Sequence, residues 1–423
     1  MATFALPRPN PTVTHLMTHI NNTFIVGGMR GLKHLYGFRP LTRIVAVDIP
    51  EQTIATLSRH VGPGQATFFA PNHPTFFHDW MVDKKLLSMV APRAASFAAG
   101  HVVNGMGGAM QRFWLANNLI AVVPGKTREA RDYSISWAQK GHGVLLHPEG
   151  RVGWHSNYVT DLFTGAASMA QSAYECADEV KQSWVIPIVS KMMFTKDVKT
   201  GLLREQAYIA GRLELQTDVT GDPAERVFAF YSELLDREIA ALLGYHSTKH
   251  SFRDQLQLLM ETIRDIAAEI TPEAGNAPKG ELARMLKHWI RQHNSSDPQF
   301  KRITQAQVTL KNIYDLGPYM YQREFLTQEE VAEHQKRIRS TYCMGTFRDS
   351  LHAYVPRPVG PKKVYLRHAP PIAMHELSCE YAARAETIGT EMLRSRMQQE
   401  LDRLVLHAEA KHAGVIYKNP FFD

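Results

Sequence analysis

The chain of 423 residues is long enough to bury a core, either in one large domain with an insertion or in two domains. Its formal net charge of +7 favours an anionic partner, such as lipid headgroups or phosphorylated substrates. Nucleic acid is disfavoured as this partner, because the sequence carries no recognition motif and no zinc-finger spacing. The three cysteines are far apart and form no metal-ligand or disulfide pattern, which is typical of a reducing cytosolic compartment.

An amphipathic helix is the first predicted element, within an N-terminal region that spans residues 1–42. Its apolar residues recur at helical spacing from Val13 to Phe24, and basic residues follow, among them Arg30 and Arg43. Two roles for the apolar face of this helix remain open, which are packing on the core and contact with a membrane surface. We favour the core, because most such stripes are core faces.

The hydropathy of the chain predicts no bilayer-spanning segment. No uninterrupted apolar run approaches the roughly 20 residues that a spanning helix needs. The first residues lack the charged start and the apolar core of a secretion signal. We therefore expect a cytoplasmic protein that is soluble or peripheral on a membrane.

An α/β core is predicted for residues 43–205. Short β-rich runs alternate there with helical stretches, which is the signature of a mainly parallel sheet flanked by helices. Such sheets bind ligands just outside the carboxyl ends of their strands. The β-rich runs occupy residues 44–48, 67–70, 95–99, 119–123, 143–147 and 185–189.

A large helical insertion is predicted for residues 206–354, because helical patterns with clear start signals fill most of it. Residues 355–375 predict a returning strand of the core, and residues 376–423 a C-terminal helix. Two capping boxes mark helix starts in the insertion, formed by Asp222 with Glu225 and by Thr327 with Glu330.

The first chemical motif follows the run at 67–70. His73 comes at the end of this predicted strand, and Asp79 follows near the start of a helix. An imidazole titrates near neutrality, so His73 can take a proton from an alcohol that attacks a thioester. Asp79 would hold one ring nitrogen and stabilise the imidazolium.

The second motif ends the run at 143–147. Gly150 lets the backbone approach a ligand closely, and the guanidinium of Arg151 offers a fork of donors for phosphate. Glu149 can orient this arginine or a substrate hydroxyl. Both motifs at the strand ends of one sheet predict a shared cleft. The other histidines, including His101, His142, His147 and His155, are interpreted as structural side chains.

Two other interpretations of these motifs stay open. A cluster of His73, His78, Asp79 and Glu149 could bind a metal and serve a hydrolase, although we assign no metal ligand. A histidine flanked by phenylalanines could also be a hydrogen-bonded structural residue.

Four short sequence blocks, and their order along the chain, resemble the glycerol-3-phosphate and lysophosphatidic acid acyltransferase superfamily. They are the NHP segment with Asp79, the HPEG segment about 75 residues later, the FTGAA segment and the VIPIV run. The resemblance covers roughly residues 40 to 205, and the strand near 364–368 is similar to a late strand of that family.

The resemblance implies transfer of a fatty acyl group to glycerol-3-phosphate or lysophosphatidic acid in phospholipid synthesis. His73 would be the general base and Asp79 its partner, with Glu149, Gly150 and Arg151 on the acceptor. The donor would be acyl-CoA or acyl carrier protein as a co-substrate, with no further cofactor. Such an enzyme would work on the anionic inner face of the membrane. In the final block Pro187 would help to shape the donor site.

This sequence departs from the family pattern at two places. The family has four residues between the histidine and the aspartate, whereas five intervene here and His78 occupies the expected aspartate position. The family also has an arginine where Val152 lies, and the second block is matched only loosely. Lys126 or Arg128 would replace its missing arginine as a phosphate ligand, or both are solvated loop charges.

These departures leave two further hypotheses open. The acceptor could be another lysolipid, because the departures lie in the blocks that should contact phosphate. The chain could also be a non-catalytic membrane-surface protein that retains the fold.

Overall fold

The computed structural model describes residues 4–26, 42–105, 107–123, 127–216, 221–246, 251–354, 359–412 and 414–422. These residues form an α/β protein, with a mainly parallel mixed sheet flanked by helices and a separate helical region. The chain divides into two compact units. The first contains residues 1–197 and 351–414, and the second contains residues 198–350 and 415–423.

The described strands are numbered in chain order. They are β1 (Ile44–Asp48), β2 (Gln65–Pro71), β3 (Ala95–Ala99), β4 (Leu119–Val122), β5 (Val144–Leu145), β6 (Gln182–Phe194), β7 (Phe325–Thr327), β8 (Lys362–His368), β9 (Ile372–Ala373) and β10 (Ile416–Lys418).

The described α-helices are numbered in the same way. They are α1 (Pro11–Ile20), α2 (Glu51–Ser58), α3 (His78–Val90), α4 (Gly100–Asn104), α5 (Gly107–Ala116), α6 (Thr127–Gln139), α7 (Gly165–Glu175), α8 (Lys199–Leu213), α9 (Pro223–Leu243), α10 (Phe252–Ala268), α11 (Lys279–Gln292), α12 (Phe300–Ile313), α13 (Gln328–Tyr342), α14 (Phe347–Tyr354), α15 (Met374–Tyr381) and α16 (Ala385–Lys411).

The sheet of the first unit has the strand order β1-β8-β6-β2-β5-β3-β4, and β9 pairs with β6. Strands β2, β3, β4, β5 and β6 run parallel to one another. Strand β8 pairs antiparallel with β6 and parallel with β1. Strand β8, which comes late in the sequence, therefore lies inside the sheet between β1 and β6.

Strand β2 lies at the centre of the sheet and is buried on both faces. Phe68 packs with helix residues such as Ala166, whereas Phe69 packs on the opposite face with Leu86 of α3. Burial on both faces explains the continuous apolar run of residues 67–70, which is typical of a central parallel strand. The polar residues after β2 are consequently placed at the carboxyl edge of the sheet.

Most predicted strand positions are confirmed, and the lengths differ most at β5 and β6. Strand β5 keeps only Val144 and Leu145 of the predicted run, whereas β6 extends to Phe194. The predicted last helix is also interrupted, because Ala382 has φ +37° and separates α15 from α16. A residue with positive φ lies outside the right-handed helical region, so the helix ends there.

The second unit is mainly helical and contains α8 to α13 and the start of α14, with a short antiparallel pair of β7 and β10. Both predicted capping boxes are confirmed, at the starts of α9 and α13. The carboxylate of Glu238 is buried in this unit, and it accepts hydrogen bonds from Thr309 and Asn312. These hydrogen bonds join α9 to α12 within the unit.

The N-terminal prediction is tested only in part. Helix α1 ends at Ile20, and a π-helical turn continues to Ile25, while residues 27–41 lie outside the described part of the chain. Met17 is buried, whereas Leu16 is 51% exposed. Within the described ranges, no helix combines the length and the apolar character needed to cross a bilayer.

Candidate active site

The candidate site begins where β2 ends. The pairing of β2 with β6 reaches Pro71, and the next residue, Asn72, continues this link through its side chain. The Asn72 amide donates to the Ser190 carbonyl at 3.2 Å, and its oxygen accepts from the Ser190 N–H at 2.8 Å. Because Asn72 is buried, these hydrogen bonds are shielded from water. They fix the backbone that carries His73.

An imidazole and a carboxylate form the centre of the site. Nδ1 of His73 lies 3.1 Å from Oδ2 of Asp79. The side chain of His73 is 16% exposed and that of Asp79 is 1% exposed. Because an ionised carboxylate only accepts hydrogen bonds, Nδ1 donates and the lone pair of the ring is on Nε2. This is the arrangement of a general base and its orienting carboxylate.

The turn before α3 delivers the carboxylate of Asp79. Its two oxygens accept from the backbone N–H of Thr75 at 2.7 Å and from the Thr75 hydroxyl at 2.6 Å. Phe77, directly before the helix, has φ +60°, which is uncommon for a residue with a side chain. This turn accommodates the fifth residue between His73 and Asp79. His78, at the position where the resemblance expects the aspartate, is fully buried.

Glu149 contacts the base from its main-chain side. Oε1 of Glu149 accepts from the backbone N–H of His73 at 2.7 Å. Oε2 accepts from the Thr160 hydroxyl at 2.7 Å and from the Thr160 N–H at 3.2 Å. Glu149 is only 2% exposed, so in this structure its carboxylate fixes the backbone of His73. The sequence predicted a contact with substrate for this residue.

A tight turn carries the rest of the second motif. The N–H of Gly150 donates to the carbonyl of His147 at 3.0 Å, and Gly150 has φ +66°. A Cβ at this position would overlap the ring of Phe163, which belongs to the next block. The N–H of Gly153 also donates to the carbonyl of His73, at 3.4 Å. The backbone after Gly150 therefore lies against the base.

A second imidazole, which the sequence analysis treated as structural, belongs to the site. The ring of His147 stacks on the ring of His73, with centroids 3.9 Å apart and an interplanar angle of 14°. Nε2 of His147 lies 3.5 Å from Oδ2 of the buried Asp83. The sequence does contain one signal for this contact, because His73 and His147 both follow strands of one predicted parallel sheet.

Burial governs the charges of this cluster. It lowers the pKa of His73 to about 3 and raises the pKa of Asp79 to about 6, although hydrogen bonds from Thr75 oppose the second shift. Burial also raises the pKa of Glu149, against hydrogen bonds from Thr160 and His73. At neutral pH His73 is consequently neutral and Asp79 is ionised, so Nε2 can accept a proton. The pKa of His73 lies below the near-neutral value expected from the sequence, which makes the buried ring a weaker base than free imidazole.

The predicted phosphate ligands are distributed unevenly. Arg151 is half-buried in the turn whose backbone lies against His73. Arg128 is 91% exposed on α6 and lies 3.7 Å from Asp132, one helical turn away. Lys126 lies outside the described residues. Pro187 is buried in the middle of β6, where it is paired with Ala70 of β2.

A further cation lies on the α3 side of the sheet. Lys362 begins β8, is 6% exposed, and its Nζ is 5.1 Å from the centroid of the Phe194 ring. Its charge acts on Asp79 and lowers the pKa of that carboxyl, against the larger effect of burial. The described parts of the chain contain no group of three or more His, Cys, Asp or Glu side chains arranged to hold a metal ion.

The site can accept a proton at Nε2 of the partly exposed His73, beside an ionised carboxylate and a turn that carries an arginine. No known protein family matches the sequence, and no curated protein matches it.

Proposed function

We propose that the protein is an acyltransferase, which moves a fatty acyl group from an acyl thioester to a hydroxyl of glycerol-3-phosphate or lysophosphatidic acid. The observation that carries this proposal is the contact of 3.1 Å between Nδ1 of His73, whose side chain is only 16% exposed, and the buried Asp79. The pair lies at the carboxyl edge of parallel strands, where α/β proteins bind ligands. The resemblance of the four sequence blocks to the glycerolphosphate acyltransferases supports the same function and fold.

The chemistry requires one base and no covalent enzyme intermediate. Nε2 of His73 takes the proton of the acceptor hydroxyl as its oxygen attacks the thioester carbon, and Asp79 stabilises the imidazolium. The tetrahedral intermediate collapses, its C–S bond breaks, and the imidazolium returns the proton to the leaving thiolate. The products are an ester and a free thiol, and the base is regenerated.

The acceptor is proposed to carry an anionic group that binds near Arg151. This arginine lies in the turn that contacts the His73 backbone, and a guanidinium suits phosphate oxygens. The donor is acyl-CoA or acyl carrier protein. With its net charge of +7, the protein is proposed to work on an anionic membrane surface in the cytoplasm.

A different lysolipid is the second candidate acceptor. Arg128, one of the two residues proposed to replace the family's second-block arginine, is 91% exposed and lies 3.7 Å from Asp132. A site with fewer phosphate ligands would favour an acceptor whose phosphate is esterified by a further headgroup.

The test is lipid mass analysis after the purified chain has been incubated with mixed acyl-CoA and a panel of acceptors. The panel contains glycerol-3-phosphate, lysophosphatidic acid and headgroup-bearing lysophospholipids, so acceptor and product are named together. We expect one ester product with the wild type and none above background with His73→Ala. No ester product with any acceptor, from folded protein, would contradict an acyltransferase function.

A matched control comes from the second unit of the chain. His246 forms an exposed contact with Asp236, with Nδ1 2.7 Å from Oδ2. His246→Ala thus removes an imidazole beside a carboxylate from a pair that includes no residue of the site, and we expect it to keep wild-type activity. Equal loss of product in both variants would show that His73→Ala acts through general damage.

A further inference from the structure

We propose that His147 and Asp83 form a second imidazole–carboxyl pair that positions the ring of His73 for proton transfer. This inference rests on the proposed function, in which His73 is the base. His147 is assigned as a positioning residue, because its ring contacts the base.

The first support is the relative position of the two rings. His73 follows β2 and His147 follows β5, and these strands are paired through Phe69 and Leu145. The rings therefore leave the same edge of the sheet side by side, and they stack at 3.9 Å with 14° between their planes. A nearly parallel ring at this distance restricts rotation of the His73 ring out of its plane.

The second support is the spacing of the two acids on α3. Asp79 and Asp83 are four residues apart, so they lie on the same face of the helix. Asp79 contacts Nδ1 of His73 at 3.1 Å, and Asp83 lies 3.5 Å from Nε2 of His147. One helix face thus presents one carboxyl group to each of the two stacked rings.

The physical role of His147 follows from the charge that develops during the reaction. When His73 takes the proton it becomes an imidazolium, whose charge is stabilised by Asp79 and by the face of a neutral aromatic ring. A charged His147 at 3.9 Å would instead repel it. Burial and the nearby His73 together lower the pKa of His147 to about 3, against the opposing charge of Asp79, so this ring is neutral at physiological pH. Burial and the charge of Asp79 raise the pKa of Asp83 well above its ordinary value.

Several other titratable groups face this cluster and would contribute to its pH dependence. The ring of His155 lies over Gly153, whose N–H donates to the His73 carbonyl. Asp79 and Asp83 of α3 contact the stacked rings, and the buried His78 precedes Asp79 on the same helix. Glu149 accepts from the His73 N–H, and Lys362 of β8 acts on Asp79.

The experiment measures the protonation of His73 without any substrate. The full chain is treated with diethyl pyrocarbonate, which reacts with neutral imidazole, and the modification of the His73 peptide is followed by mass spectrometry across a pH series. In His147→Ala, water enters the space beside His73 and weakens the effect of burial. We expect the pH midpoint for modification of His73 to rise by about one unit, and kcat of acyl transfer to fall by about 10-fold to 100-fold with little change in KM.

His147→Phe is the rescue variant, because it restores a flat ring in the stack without a titratable group. We expect its His73 midpoint to lie within a few tenths of a unit of the wild type, and its kcat to recover most of the loss. Asp83→Leu tests the pair from the other partner and should shift the His73 midpoint in the same direction as His147→Ala, whereas Asp83→Asn should shift it little.

The matched control is a stacked histidine outside the site. His293 stacks on Trp289 with centroids 3.9 Å apart and an angle of 9°. His293→Ala should leave the His73 midpoint and kcat unchanged. Circular dichroism and thermal unfolding report on the folding of every variant.

Two outcomes would overturn the inference. One is a His147→Ala variant that is folded and has the wild-type His73 midpoint. The other is a His147→Phe variant whose midpoint and kcat change as much as in His147→Ala. If the wild type forms no ester product with any acceptor, the proposed function fails, while the substrate-free midpoint still decides whether His147 controls His73.

Discussion

Among single residues, the His73–Asp79 pair sets the pH dependence of the proposed reaction. Burial lowers the pKa of His73 and raises that of Asp79 to about 6, so the pair gains its proton as the pH falls through this region. We expect kcat/KM to be level above about pH 7 and to fall about tenfold per unit below about pH 6. A pH–rate profile measures this. If kcat/KM below about pH 6 equals its value above about pH 7, the assignment is contradicted.

Asp83 gives a prediction for stability. Because burial raises its pKa in the folded protein, the unfolded chain releases this proton at lower pH than the folded chain does. The contribution of Asp83 to stability should therefore fall as the pH rises above the ordinary Asp value of 3.8, by up to about 1.4 kcal/mol per unit. Asp83→Asn lacks this group, so its stability relative to the wild type should increase with rising pH.

Urea unfolding of both proteins at pH 5 and pH 8 measures the effect of Asp83. The control is Asp132→Asn, since Asp132 is 58% exposed and should show almost no pH-dependent difference. A difference between Asp83→Asn and the wild type that is the same at both pH values would contradict the raised pKa.

Some contacts of the site residues were predictable from the sequence, and others were not. The sequence identified His73 and Asp79 as a pair, because imidazole and carboxylate chemistry is local to one strand end. It treated His147 as structural, since the stack with His73 joins residues far apart in sequence and depends on the order β2-β5. For Glu149 it predicted a substrate contact, whereas both carboxylate oxygens accept hydrogen bonds from within the protein.

At the level of elements, the turn at Gly150 connects the second motif to the FTGAA block. Gly150 has φ +66°, and a Cβ there would overlap the Phe163 ring. Gly150→Ala should lower the free energy of unfolding by about 1–2 kcal/mol, because a side chain is strained at this φ. It should also reduce activity, since this turn follows Glu149, which binds the His73 backbone.

A double variant separates the two causes at Gly150. Phe163→Ala removes the ring that the new Cβ meets, so Gly150→Ala combined with Phe163→Ala should lose only the part of the stability that comes from the strained backbone. Urea unfolding of the two single variants and the double variant gives the interaction. A Gly150→Ala protein as stable as the wild type would contradict the importance of this backbone conformation.

Element positions were predictable where the chain has local signals. The apolar runs located β2 and β6 because central parallel strands are apolar on both faces, and the capping boxes located α9 and α13. The antiparallel direction of β8 was not predictable, because strand direction is set by pairing with distant residues rather than by a local pattern. The interruption at Ala382 likewise has no glycine or proline to indicate it.

For the whole molecule, the net charge of +7 predicts binding to anionic vesicles. We expect the chain to cosediment with vesicles that contain anionic phospholipid, and the bound fraction to fall several-fold when salt is raised from about 0.05 to about 0.5 M, because salt screens the attraction. Vesicles of neutral phospholipid are the control. Equal binding to neutral and anionic vesicles would contradict an electrostatic contact.

The organisation of the chain was predictable only in outline. Composition change marked a helical region after the α/β core, and the returning strand was visible as residues 363–368. The structure assigns all of α8 to the helical unit, and residues 415–423 also belong there. These memberships depend on tertiary contacts, which have no counterpart in local sequence pattern.

The most direct test is a double-mutant cycle in kcat/KM that combines His73→Ala with Asp79→Asn. If Asp79 acts only by orienting and stabilising the His73 base, the double variant should be about as slow as His73→Ala alone, some 10²-fold to 10⁴-fold below the wild type. Additive losses, or transfer by His73→Ala at the wild-type rate, would contradict the account.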